Sequence, residues 1–110
     1  MISTIDKLNK IILDIETKPR MFFDNPDYQA LKNFFLGYLS AIEDSNQFSI
    51  NMEFTVWLND KGPKTSLFWT AYILEINSKG NQTIAYEKLI EELKNFLKDF
   101  QKSTKLGDKV

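Results

Sequence analysis

The 110-residue chain contains no cysteine and no histidine. Without cysteine there is no disulfide framework, no thiolate nucleophile and no thiolate metal site, and a reducing, intracellular setting is favoured. Without histidine the commonest general base and the commonest metal ligand are both missing, which moves the expectation from catalysis towards binding. Arginine occurs once, at Arg20, and the net charge is −1, so the basic surface that direct nucleic-acid binding requires is not favoured. The four glycines, Gly37, Gly62, Gly80 and Gly107, are scattered, and none belongs to a glycine-rich phosphate loop. The best apolar run, Leu67 to Leu74, falls well short of the roughly 20 residues that a spanning helix needs. The N-terminal MISTIDKLNK lacks the basic segment, apolar stretch and small-residue cleavage site of a signal peptide. The expected location is the cytoplasm, with no membrane partner.

What the chain does have is the balance of an ordinary folded domain: 43% hydrophobic and 26% charged residues, with a length suited to one core. Its charge is unevenly spread. From Met21 to Asp60 there are six acids (Asp24, Asp27, Glu43, Asp44, Glu53 and Asp60) against Lys32 alone, a net −5; from Lys61 to Val110 nine lysines face six acids, a net +3. An acidic middle and a basic end keep a protein soluble, and an acidic surface also steers a basic partner towards it.

Ser3 or Thr4 is placed to cap a first amphipathic helix, in which Ile5, Leu8, Ile12 and Ile15 recur at helical spacing. Pro19 ends it. The turn Pro19-Arg20-Met21-Phe22-Phe23 is too aromatic for an exposed linker, so its rings are expected on the core and Arg20 against carboxylates or helix carbonyls. Asn25 or Asp24 is expected to cap a second helix with Pro26 at its first position. Leu31, Phe34, Phe35, Tyr38, Leu39 and Ile42 form its stripe, and Gly37 inside it is expected to permit a close approach. The segment after Gln47 is ambiguous. Phe48, Ile50, Met52, Phe54, Val56 and Leu58 alternate with polar residues like a half-buried strand, and although Phe54, Trp57 and Leu58 also fit a helical stripe capped by Asn51, the pattern alone favours a strand. Lys61-Gly62-Pro63-Lys64 breaks the chain, and Ser66 is placed to cap the next segment, SLFWTAYILEIN, which is equally open to strand or helix. From Thr83 the stripe Tyr86, Leu89, Ile90, Leu93, Phe96, Leu97 and Phe100 predicts the clearest helix, acidic early and basic late as the helix dipole favours. Residues 1–102 are expected as one domain, with 103–110 as a flexible polar tail.

Chemistry-bearing constellations are sparse. Glu91 and Glu92 point to different sides of a helix, Glu43-Asp44 sits at a helix end, and no base accompanies either pair. The acids of the middle segment lack the glycine and spacing of a calcium loop. No enzymatic activity, cofactor or metal is expected. Tyr28, Trp57, Trp69 and Tyr72 are large rings that serve either a core or an interface.

Several short motifs in order resemble one family. Lys18-Pro19-Arg20-Met21-Phe22-Phe23 is followed by Phe34-Phe35-Leu36-Gly37-Tyr38, Phe54-Thr55-Val56-Trp57-Leu58, Ser66-Leu67-Phe68-Trp69 and Ala85-Tyr86-Glu87-Lys88-Leu89. This succession resembles small, mostly helical bacterial immunity proteins encoded beside toxin domains, including those of contact-dependent growth inhibition systems, with their "RPxMY", "FxxGY" and "FxxWL" segments. Here Pro19 precedes Arg20, the reverse of the family order, and Phe22 stands where the family has tyrosine. The resemblance implies an all-α, single-domain bundle of about five helices; the residue pattern alone leaves open an α+β fold with a hairpin within 48–76. It also implies stoichiometric inhibition of a cognate toxin domain, commonly a nuclease. The residues then expected at the partner surface are Asp24, Asp27, Glu43, Asp44, Glu53 and Asp60, with Tyr28 and Trp57 as anchors. The alternative is a small interaction module that homodimerises through a helical face.

Overall fold

The structure, a computed structural model, describes residues 4–46 and 49–108, and the side chains of 4–44 and 49–101. Within them the chain is all-α, a bundle of five helices without a strand. Helix α1 (Thr4–Thr17) buries Leu8, Ile12 and Ile15; Ser3, one of its two expected caps, lies outside the described residues. Pro19 stops it as expected and opens a single 3₁₀ turn, Pro19–Met21. The amides of Phe22 and Phe23 both donate to the Pro19 carbonyl at 3.0 Å. Phe23 then packs edge-on against Phe34, and Phe34 against Phe35, with centroids 5.8 and 5.2 Å apart, while Arg20 donates to the Asp24 carbonyl at 3.3 Å.

Helix α2 (Tyr28–Asn46) begins later than the sequence predicts. The cap is Asp27, whose carboxylate accepts the Ala30 amide at 2.9 Å, and Pro26 precedes it. Asn25 is engaged elsewhere, donating from its side chain to Asp27 at 3.4 Å. Tyr28, Leu31, Phe35, Leu39 and Ile42 bury the core face of α2. Gly37 does not serve close packing: it faces outward, and a Cβ there would meet nothing within 4 Å.

The segment with strand-like alternation is helix α3 (Ile50–Lys61). Ile50, Phe54 and Leu58 recur every four residues on its buried side with Asn51 and Thr55 beside them, whereas Met52 and Val56 point outward. After the break comes α4 (Trp69–Tyr72), continued by a π-helical turn, Ile73–Asn77. The Ser78 hydroxyl closes that turn on the Ile73 carbonyl at 2.8 Å, and Lys79 and Gly80, both at positive φ, reverse the chain. Helix α5 (Gln82–Asp108) starts at an Asn81 cap, whose side-chain oxygen accepts the Ile84 amide at 3.0 Å. Its backbone runs on into the segment expected as a tail.

Helix α5 packs against α1, α2, α3 and the π turn, and α3 packs against α2 and α4. Trp69, Tyr72, Phe35 and Phe54 are fully enclosed, each large apolar side chain contributing about 1.5–3 kcal/mol by leaving water. A polar seam runs through this core. Asn51 accepts the Trp69 indole N–H at 2.8 Å and donates to the Ser40 hydroxyl at 3.3 Å. The Thr55 hydroxyl accepts the Trp69 amide at 3.0 Å. Thus α4 is capped from α3, not by Ser66. The amide of Asn51 in turn donates to the Glu43 carboxylate at 2.8 Å, so α3 is capped from α2, and Asn51 serves through its side chain as a core linker. These bonds fix the pose of α3. Among the described residues no helix is long and apolar enough to cross a membrane.

Candidate functional site

Fixing α3 by its buried side determines what its other side presents. Glu53, Trp57 and Asp60 follow one another at helical spacing along an outward face, with Met52 and Val56 beside them. Met52 and Val56 remain 51% and 50% exposed on neighbouring turns of this short helix. Alongside runs α5 with Phe96, Asp99 and Phe100. Between the two helices lies a groove of about 260 Å³, its floor made by Val56, Trp57, Phe96 and Phe100 and its polar rim by Glu53, Asp60 and Asp99. No lysine lines it.

Trp57 forms the wall between this groove and a broader recess of about 530 Å³ that also meets Asp60, Lys61, Asn95, Lys98 and Asp99. The partly buried indole is held by four neighbours. Its N–H donates to Asp99 at 2.8 Å, the Lys61 ammonium lies 4.6 Å from the ring centroid, and Phe54 and Phe96 pack against it at 6.2 and 5.7 Å. Lys61 is itself anchored by the buried Glu92 carboxylate at 2.8 Å, which also accepts from Asn95 and Asn77. A charge buried with this many donors is compensated. Glu92 thereby holds Lys61 against Trp57.

The eight residues expected at a partner surface fall into separate groups. Glu53, Trp57 and Asp60 come together on α3. Asp24 lies exposed in the turn before α2. Asp27 caps α2, and Tyr28 is a core residue, 1% exposed, whose hydroxyl donates to the Thr70 carbonyl. Burial pushes its phenol well above the ordinary tyrosine range. Glu43 caps α3, and Asp44 is exposed near the far end of α2. At roughly 1.5 Å per residue, Asp27 and Asp44 are about 25 Å apart along the helix. The acids flanking α2 therefore do not form one patch, and two of them have structural duties.

Asp99, Phe100 and Val56 complete the α3–α5 face without having been expected at a partner surface, and Met52 lies on the other side of Val56, towards Lys64 and Leu67. Asp99 and Phe100 lie more than forty positions beyond Trp57 in a basic stretch, and only the packing of α5 on α3 brings them to the groove. Among the described residues no group of three or more carboxylates is arranged to hold a metal ion. A second, smaller cleft of about 210 Å³ lies between the starts of α2 and α5 beside Tyr86, whose phenol is pushed up by burial. No family model, curated protein or solved structure matches the chain.

Proposed function

We propose that this protein is a toxin inhibitor, an immunity protein that binds a cognate bacterial toxin domain in a stoichiometric complex and neutralises it. The motif order described above is the ground for naming the class. The observation that carries the binding role is the α3–α5 face, where half-exposed Val56 adjoins Trp57, Phe100, Glu53, Asp60 and Asp99. An apolar centre with a polar rim is the anatomy of a protein–protein interface. A nuclease is the toxin class that fits best, because surfaces built to hold phosphate are basic, and carboxylates around an apolar contact would speed and orient their approach. The chain acts by occupancy and performs no reaction of its own.

Homodimerisation through the same face is less well supported. A two-fold pairing of α3 across Val56 brings Glu53 either onto its own copy or towards Asp60 of the second chain, and like charges across an interface oppose association. The test is co-expression of this chain with the product of the neighbouring gene. Rescue of growth and co-purification of a complex are expected; if no toxin is suppressed and no partner co-purifies, the reading fails.

A further inference from the structure

We propose that the groove between α3 and α5 is a preformed receptor for one long cationic side chain, an arginine or lysine, that the partner protein inserts at the centre of the interface. This rests on the binding reading above and specifies its chemistry. Val56, Phe96 and Phe100 offer an apolar floor, while Glu53, Asp60 and Asp99 stand at the rim. A side chain matching both parts needs a hydrocarbon stem that lies on apolar surface and a cationic head that remains among the carboxylates, the partition natural to lysine and arginine. A guanidinium adds stacking on aromatic faces and paired hydrogen bonds to carboxylate.

The rim is available for this. Glu53 has no side-chain partner among the described residues. Asp99 gives one oxygen to the Trp57 indole, and a carboxylate has further acceptor capacity. Asp60 meets Lys64 at 3.4 Å, but both side chains are more than two-thirds exposed, so that pair is weak and exchangeable. Lys61 is bound to Glu92 and lies against the Trp57 ring, and Lys98 lines the neighbouring recess beside Asp60 and Asp99. Other occupants fit worse. An uncharged apolar segment would desolvate three carboxylates with nothing to compensate them, and a phosphate would be repelled. A second copy sets acid against acid.

Trp57 and Trp69 provide a built-in reporter and control, since the first borders the groove and the second is fully buried. The full chain, labelled with ¹⁵N, is titrated at about 0.15 M salt, where long-range surface attraction is screened. The probe is an amphipathic helical peptide of alanine and leucine bearing arginines, and its control is the citrulline twin, isosteric and neutral. The Trp57 indole signal should move saturably with the arginine peptide and the Trp69 signal should not. The citrulline twin and the Glu53→Gln/Asp60→Asn variant should each bind at least about tenfold more weakly, as expected for charge pairs lost from a partly desolvated site. An unmoved Trp69 signal reports that the variant is folded, and Asp24→Asn/Asp44→Asn should leave affinity unchanged. Equal binding of the two peptides, no shift at Trp57, or an unaffected Glu53→Gln/Asp60→Asn variant would overturn the proposal. The two readings fail separately: a toxin still bound with full affinity by that variant removes the groove and leaves the inhibitor, whereas selective peptide binding without any toxin partner leaves the groove and removes the inhibitor.

Discussion

Replacing Asn51 with alanine removes the acceptor of the buried Trp69 indole N–H and the donor to Ser40. Asn51 is 6% exposed and Trp69 fully enclosed, so water does not reach the indole from outside to replace the bond. A buried donor left unpaired costs about 1–3 kcal/mol, and the space vacated by the amide adds about 1 kcal/mol. The expected loss is about 2–4 kcal/mol, a large share of the 5–15 kcal/mol that holds a domain of this size folded. Urea denaturation followed by far-ultraviolet circular dichroism should show the midpoint fall with its slope unchanged, as required for a pure loss of stability. A cycle with Trp69→Phe separates the hydrogen bond from the lost packing: the two changes should be non-additive by about 0.5–1.5 kcal/mol. If Asn51→Ala costs less than about 0.5 kcal/mol, the range of ordinary surface substitutions, the seam does not fix α3 as described.

Gly37→Ala should stabilise the protein by about 0.5–1 kcal/mol, because a Cβ there meets open space and alanine is the better helix former; a lower urea midpoint would contradict this. Gly62→Ala should destabilise by about 1–3 kcal/mol, as overpacking does. Its Cβ would stand 2.6 Å from the Tyr72 hydroxyl, which ends an enclosed ring and donates to the Pro63 carbonyl at 2.8 Å, and a thermal melt reads the difference. Burial raises the phenols of Tyr28 and Tyr72 above the ordinary 10.0, with Glu92 adding to the effect at Tyr72. The unfolded chain therefore releases these protons first as pH rises. The stability they contribute is complete below about pH 10 and is lost above it. Urea midpoints between pH 8 and pH 11 (roughly the span bracketing free tyrosine) should fall at the alkaline end, less steeply in Tyr72→Phe.

How much of this was legible in the sequence depends on what the packing did with each segment. Helices α2 and α5 are plain because their apolar residues keep to one face: Leu31, Phe35, Leu39 and Ile42 in one, Leu89, Leu93, Phe96 and Leu97 in the other. Helix α3 was obscured by its own exposed residues. Ile50, Phe54 and Leu58 face the core at every fourth position while Met52 and Val56 face outward between them, and the two sets interleave into the period of a strand. The residues that confuse the secondary structure are the apolar side chains that α3 leaves exposed, and of these Val56 lines the groove against α5. Gly37 misled in the opposite sense, since a helical glycine says that something is permitted without saying where its missing Cβ points. Glu53, Trp57 and Asp60 were found from charge and ring chemistry. Their grouping needed α3 to be helical, and Asp99 needed the tertiary contact with α5. Tyr28, Asp27 and Glu43 show the limit of composition: a ring can be an anchor or a core residue, and an acid can be a surface charge or a cap.

The central claim is that this chain neutralises a partner toxin through the α3–α5 face, and calorimetric titration of the neighbouring gene's toxin domain with wild-type and Val56→Lys protein tests it most directly. A cation placed on this half-exposed side chain, among the rim carboxylates, should spare the fold and weaken a 1:1 complex with a basic partner about a hundredfold, roughly 2.7 kcal/mol. No complex with the wild-type chain, or equal affinity for the variant, would contradict the account.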